Sequence, residues 1–161
     1  MQIEVQGLEE AKNLLIKLSQ FANNQHMQDI MQTIGQMLRN KTEEAFSDKK
    51  SPFGKRWEPL KPSTLKAKKA KGDILRFTGS LQDRWNIEAT NSKVIVSGNS
   101  VKNSYAYGIV HQFGTSNAGK NKNTKIPARK FLPIDNSGKI EDGLKDTIEN
   151  MLNKELKKCI Y

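Results

Sequence analysis

The sequence predicts an α+β subunit: a small, mostly antiparallel sheet packed against two or three amphipathic helices, with long polar loops. Apolar residues recur every three or four positions near both ends of the chain, which is the helical period. In the middle, Trp85, Ile87 and Ala89 alternate with Asn86 and Glu88, as in a strand with one face buried. Between these patterned regions lie stretches rich in Pro, Gly and Lys that follow neither period. At 161 residues the chain fits one domain, 1–161. Leu, Ile, Val and Phe together number 37, a little above the roughly 20 % below which disorder is expected. The core is therefore expected to be modest.

Each element follows from its local pattern. Ile3 and Val5 alternate with Gln2, Glu4 and Gln6, so a short strand is expected first. From Leu8 the period lengthens, and Leu8, Ala11, Leu15, Leu18 and Ala22 share one helical stripe, widened by Leu14 and Phe21. Asn23 and Asn24 interrupt it, and Asn24 is placed to cap a second helix. That helix presents Met27, Ile30, Met31, Ile34, Leu38, Ala45 and Phe46. No polar ligand stands among them, so they read as core. Residues 47–76 read as a long basic loop, since the run from Ser47 to Gly72 holds three prolines and two glycines. Within it Ser63 is placed to cap one or two helical turns from Leu65 to Lys69, and Trp57 and Leu60 are expected to anchor the loop.

After Thr78 and Gly79 a strand is expected from Leu81 to Ala89, with Asp83 the one polar residue on its apolar side. Asn91 and Ser92 turn the chain back through Lys93 to Ser97, Asn being tolerant of left-handed backbone. This hairpin and the N-terminal strand would make three strands. Ser104 is placed to cap a short helix from Tyr105 to Phe113, closed by Gly114. Residues 115–125 hold almost nothing apolar and read as an exposed, mobile loop. Ile126 to Ile134 is extended, and Pro127 and Pro133 confine it to an edge or leave it unpaired. The last helix, 138–158, follows Asn136-Ser137-Gly138, with Ile140, Leu144, Ile148, Leu152 and Leu156 every four residues, backed by Met151.

Charge narrows the function. The net +10 divides into −3 over residues 1–48, +8 over 49–76 and +5 over 77–161. Lys55, Arg56, Lys61, Lys66, Lys68, Lys69 and Lys71 form a basic strip suited to DNA or to an acidic protein surface. Phe53 and Trp57 are too few for a base-stacking platform, so sequence-specific recognition is not expected. The chain has no phosphate loop, HExxH, GxSxG or CxxC. Two histidines and one cysteine do not make a zinc site. Cys159 in KKCIY has no evident base, and Glu43 and Glu44 point from a helix in different directions. Neither an enzyme nor a cofactor is expected.

His111 and Gln112 read as fasteners of the turn at Gly114 to neighbouring backbone. Arg129 is suited to a bidentate bond to a carboxylate, for instance across a subunit boundary, and less to a phosphate. The N-terminus has no secretory pattern, and no apolar run approaches the roughly 18 residues of a membrane helix. A single cysteine fits a reducing compartment. A soluble protein made in the cytosol is expected, with no membrane contact.

Four pieces occur in order: WEPLKPSTLKAKK from Trp57, ILRFTGSL from Ile74, YAYGIVHQFG from Tyr105 and IPARKFLPI from Ile126. This ordered set resembles the phage virion morphogenesis family, the Mu-like tail completion proteins of contractile-tailed phages. The matching positions include Trp57, Leu60, Thr78, Gly79, Tyr105, Ala106, His111, Gln112, Phe113, Gly114, Pro127, Arg129, Phe131 and Leu132. The resemblance covers about residues 50–135, and the Lys- and Asn-rich bridge at 115–125 departs from it. It implies a structural virion protein of the tail or neck, from a phage or prophage and assembled in the bacterial cytoplasm. Such a protein completes the tail at its head-proximal end for head–tail joining. It implies a homo-oligomeric ring, with tail tube and head–tail connector proteins as partners; the +8 strip is then expected to face a central channel and make non-specific DNA contact there. The alternative reading is a non-specific DNA-binding module that uses the strip at 49–76.

Overall fold

The computed structural model describes residues 8–68, 73–98, 101–102 and 105–160. Helix α1 (Leu8–Asn23) leads into α2 (Gln25–Asp48). Asn24 between them is extended, and its side-chain carbonyl accepts the Met27 N–H at 3.0 Å. This is the expected cap, satisfying one of the N–H groups that a helix start leaves open. The buried residues of α2 include Ile30, Ile34, Ala45 and Phe46, as its periodicity predicts. The stripe expected on α1 is only partly covered. Leu18 and Phe21 are half-buried, whereas Ala11, Leu15 and Ala22 are exposed, because α1 packs on α2 and α6 over one narrow seam.

A β-hairpin lies across α2. Strand β1 (Trp85–Ala89) pairs antiparallel with β2 (Val94–Gly98), Trp85 opposite Gly98 and Ala89 opposite Val94. At Gly35 the helix comes so close that a Cβ would collide with the Ile87 and Val94 side chains. The strand expected from Leu81 is shorter than its alternation suggested. Ser80–Asp83 is a single helical turn, α4, with the Gln82 and Asp83 amides both bonded to the Gly79 carbonyl at 2.9 Å. Leu81 still points inward. Asn91 and Ser92 do make the turn, closed by a Thr90 N–H bond to the Lys93 carbonyl at 2.8 Å. Neither is left-handed; the Thr90 hydroxyl takes the Lys93 N–H at 3.1 Å instead.

Other boundaries move for local reasons. Helix α3 (Pro62–Ala67) begins at Pro62, whose missing N–H costs nothing at a first helical position. Ser63 is thus inside the helix rather than its cap. Strand β3 (Val101–Lys102) pairs antiparallel with β4 (Tyr105–Ala106), so the next helix, α5 (Tyr107–Phe113), starts two residues late. Its N-cap is Ala106, without a side-chain bond. Residues 115–125 are not an irregular loop. Strands β5 (Thr115–Ala118) and β6 (Thr124–Ile126) form an antiparallel ladder, turned by Gly119 and Lys122, both at positive φ. Helix α6 (Asp142–Ile160) starts four residues beyond 138. Ile134 and Ile140 first form a bridge, and the Glu141 carboxylate then caps the Leu144 N–H at 2.8 Å.

The class is α+β, with every strand pairing antiparallel in three two-stranded ladders among the described residues. The expected N-terminal strand, the Ser104 cap, and Lys69 and Lys71 lie outside the described residues. Two apolar clusters hold the fold. One joins Ile30 and Ile34 to Leu144 and Ile148 of α6, with Phe21 and Met27 against it. The other joins Ala45, Phe46, Trp57, Leu81 and Phe131. Phe46 lies edge-on to Trp57 at 5.4 Å between ring centroids and 5.3 Å from Phe131. Helix α2 serves both clusters, one at each end.

Candidate functional site

The segment after β6 runs from Pro127 to Pro133 without regular structure, yet Arg129, Phe131 and Pro133 in it are buried. Buried backbone groups need partners, and here side chains and one carbonyl supply them. The Arg129 N–H donates to the His111 carbonyl at 2.7 Å. Gln112, 1 % exposed, accepts the Phe131 and Leu132 N–H groups on Oε1 at 2.9 and 3.0 Å. Its Nε2 donates to the Leu132 and Ile134 carbonyls at 3.4 and 3.2 Å. The Trp57 indole donates to the Lys130 carbonyl at 2.8 Å.

Arg129 ties the same segment to the loop before α3. Its Nε donates to the Glu58 carbonyl at 2.9 Å and its Nη2 to the Pro59 carbonyl at 3.2 Å. Within the chain Arg129 is held by two main-chain carbonyls rather than by a carboxylate, presented where the Trp57 anchor fixes the loop. Gln112 is the expected fastener, but it holds residues 131–134, not the turn at Gly114. Gly114 contributes by shape: at φ 75° and ψ 174°, a Cβ there would sit 2.8 Å from the Ala128 nitrogen. Only glycine suits that backbone and that approach.

These straps frame a cleft of about 910 Å³, to which residues within 60–68, 75–84, 107–111 and 124–129 contribute. Its apolar lining includes Leu60, Leu75, Phe77, Ile126 and Pro127, and Phe77 is 82 % exposed. The charged side chains that line it are Lys61, Lys68, Arg84, Lys125 and Arg129, and no carboxylate lines it among the described residues. The Lys68 ammonium donates to the Asp73 and Arg76 carbonyls, each at 2.8 Å. Burial lowers the pKa of both Lys68 and Arg129, partly opposed by Asp73 and Glu58 respectively. His111 also lines the cleft. Burial, then the Arg129 and Lys68 cations, push its pKa below the ordinary histidine value, so the imidazole is neutral near pH 7. Its Nδ1 is buried and has no hydrogen-bond partner among the described residues.

Trp57, Gln112 and Phe131 thus lie in the wall behind the cleft, while Leu60, Thr78, Gly79, His111, Pro127 and Arg129 line it. Ala106 and Leu132 are half-buried, and Phe113 is exposed. Tyr105 opens β4. Of the basic strip, Lys61 and Lys68 reach the cleft; Lys55, Arg56 and Lys66 are exposed away from its lining. Sequence reasoning missed Leu75, Phe77, Arg84 and Lys125, although a lone Phe inside ILRFTGSL was a signal for the second of them. Among the described residues no three His, Cys, Asp or Glu side chains gather as metal ligands. No described helix is long and apolar enough to cross a membrane.

The cleft unites the four ordered sequence pieces, and a model of the phage virion morphogenesis family matches residues 4–157. The chain belongs to that family. The match extends the resemblance over both terminal helices and supports a structural role in phage virion assembly. No curated protein and no solved structure matches the chain. The cleft of this family member offers positive charge, apolar surface and strapped backbone.

Proposed function

We propose that the chain is a subunit of a ring that completes the phage tail at its head-proximal end, where the head is joined. Family membership supports the virion-assembly role. The observation that carries the ring is a pair of unlike apolar surfaces in different parts of the fold. On α1, Leu15 and Ile16 are 67 % and 46 % exposed; on α5, Ile109 and Phe113, one turn apart, are 60 % and 41 % exposed. A head-to-tail contact that closes into a ring uses two different complementary patches. In this reading the protein is structural, not catalytic, and sits in the tail or neck beside tube and connector proteins. Its exposed Lys55, Arg56 and Lys66 suit non-specific contact with DNA passing through a channel.

Light scattering with negative-stain imaging tests the ring. A closed ring of about tail-tube width supports the reading, and a strict monomer under all conditions overturns it. Because Leu15 and Ile16 are already solvent-exposed, Leu15→Glu with Ile16→Glu is expected to dissolve the ring and leave the far-UV circular dichroism of the subunit unchanged. Tight DNA binding by the monomer, weakening with a log–log salt slope of about −0.9 per neutralised phosphate, would favour the DNA-binding module instead.

A further inference from the structure

The cleft has a property that ring formation does not use. Some surface lysines elsewhere have carboxylate partners: Lys49 pairs with Asp73 at 2.8 Å, Lys50 with Asp48 at 2.8 Å, Lys139 with Asp142 at 2.8 Å. The cations around the cleft are treated differently. Lys68 and Arg129 are held by main-chain carbonyls, which orient a charge without cancelling it. Lys61, Arg84 and Lys125 are exposed and make no salt bridge among the described residues. The floor between these charges is apolar, and Phe77 stands in it almost fully exposed.

We propose that this cleft is the docking site for an extended, acidic segment of a partner protein, with apolar side chains seated on the floor and carboxylates on the surrounding cations. The inference rests on reading the chain as an assembly subunit, and it names the kind of partner the subunit receives. Three features select that occupant. The charge of the lining is of one sign, so an anionic partner is favoured and a cationic one repelled. A nucleic acid could stack a base on Phe77, but Leu60, Leu75, Ile126 and Pro127 make the rest of the apolar lining aliphatic, which suits side chains better than successive bases. The third feature is an edge. Thr124, Lys125 and Ile126, three successive residues of β6, all line the cleft. Side chains in a strand alternate between faces, so consecutive lining residues mean that the strand meets the cleft along its edge. Among the described residues β6 pairs only with β5, and its other edge is where an extended segment adds by main-chain hydrogen bonds.

A second copy of the chain is a poorer match through α1. That helix sets Lys12 and Lys17 beside Glu9 and Glu10 and so carries no net negative charge. The cleft volume also lies in the range of sites that enclose a small ligand or a few side chains.

Anisotropy with the full-length protein tests the proposal, using a labelled peptide that alternates Leu and Glu, its Leu–Lys counterpart, and oligo(dT) of matched length. The Leu–Glu peptide is expected to bind and the Leu–Lys peptide not to. Lys61→Glu with Lys125→Glu is expected to weaken binding about tenfold or more. Phe77→Ser is expected to weaken it as well, with no change in melting temperature, because that side chain is already in water. Equal binding of both peptides, binding indifferent to both variants, or tighter binding of oligo(dT) overturns the proposal. So does loss of self-association in the charge-reversed variant, which would make the cleft a contact between copies. A ring that forms while no peptide binds removes this inference alone; a monomer that binds the Leu–Glu peptide removes the ring alone.

Discussion

The two ends of α2 are built on different physics. At its N-terminal end, Ile30 and Ile34 meet Leu144 and Ile148 across a seam of regular helical surfaces. Among the described residues polar contact at that seam is peripheral, as where His26 meets Glu155 at 3.0 Å. At its C-terminal end, Phe46 meets Trp57 and Phe131, which come from segments with no regular structure. Regular elements satisfy their own backbone and need only burial. Irregular segments bring unpaired N–H and C=O groups into the interior, and each must be met individually. Gln112, Arg129 and Trp57 do this in the second region. Stability there depends on a few polar atoms as well as on packed rings, whereas in the first it is spread over many methyl groups.

Substitutions separate the two regimes, beginning with the largest effect. Gln112→Leu keeps volume but leaves the Phe131 and Leu132 amides buried without their acceptor. At about 1–3 kcal/mol for each unmet group, a loss on the order of 4 kcal/mol is expected from urea unfolding. If the loss were under about 1 kcal/mol, in the range of an ordinary net hydrogen bond, the strapped region would be no different from the helical one. Ile34→Val in the helical seam is expected to cost about 1 kcal/mol, the usual price of one buried methyl group. The smallest effect is acid sensitivity at the rim of that seam. Hydrogen bonds from Lys158 and then His26 hold the Glu155 pKa below the ordinary glutamate range. A depressed carboxylate pKa stabilises the fold above its unfolded value, and that contribution disappears as pH falls through the folded value. Melts from neutral to acid pH are therefore expected to converge for the native chain and Glu155→Gln. A constant gap between them would remove this contact from the account.

The same division explains how much could be read from the sequence. The Asn24 cap and the core face of α2 were legible because each is a local statement, a residue type beside a period. The alternation through Leu81 and Asp83 misled, because a helical turn and a strand both turn Leu81 inward, and nothing local decides between them. The β5–β6 hairpin was hidden by its exposure: only Ala118 in it is buried, so no apolar alternation marks the strands. The roles of Gln112 and Arg129 were legible in kind and not in target. Arg129 bonds to residues 71 and 70 positions away, and only the fold brings those carbonyls within reach. For the same reason the cleft, assembled from residues between 60 and 129, could not be drawn from any one motif.

The hydrogen bonds of the Gln112 amide to the segment it holds go to main-chain atoms, and so they do not depend on which side chains stand there. The amide asks for an N–H at 131 and at 132 and for carbonyls at 132 and 134. It asks nothing of the nitrogen at 133, and that is where the chain has placed a proline. Moving that proline one step back, to 132, would remove a donor the clamp requires. The segment is thus free to drift in what its side chains are, within what packing allows, but not in where an imino acid stands.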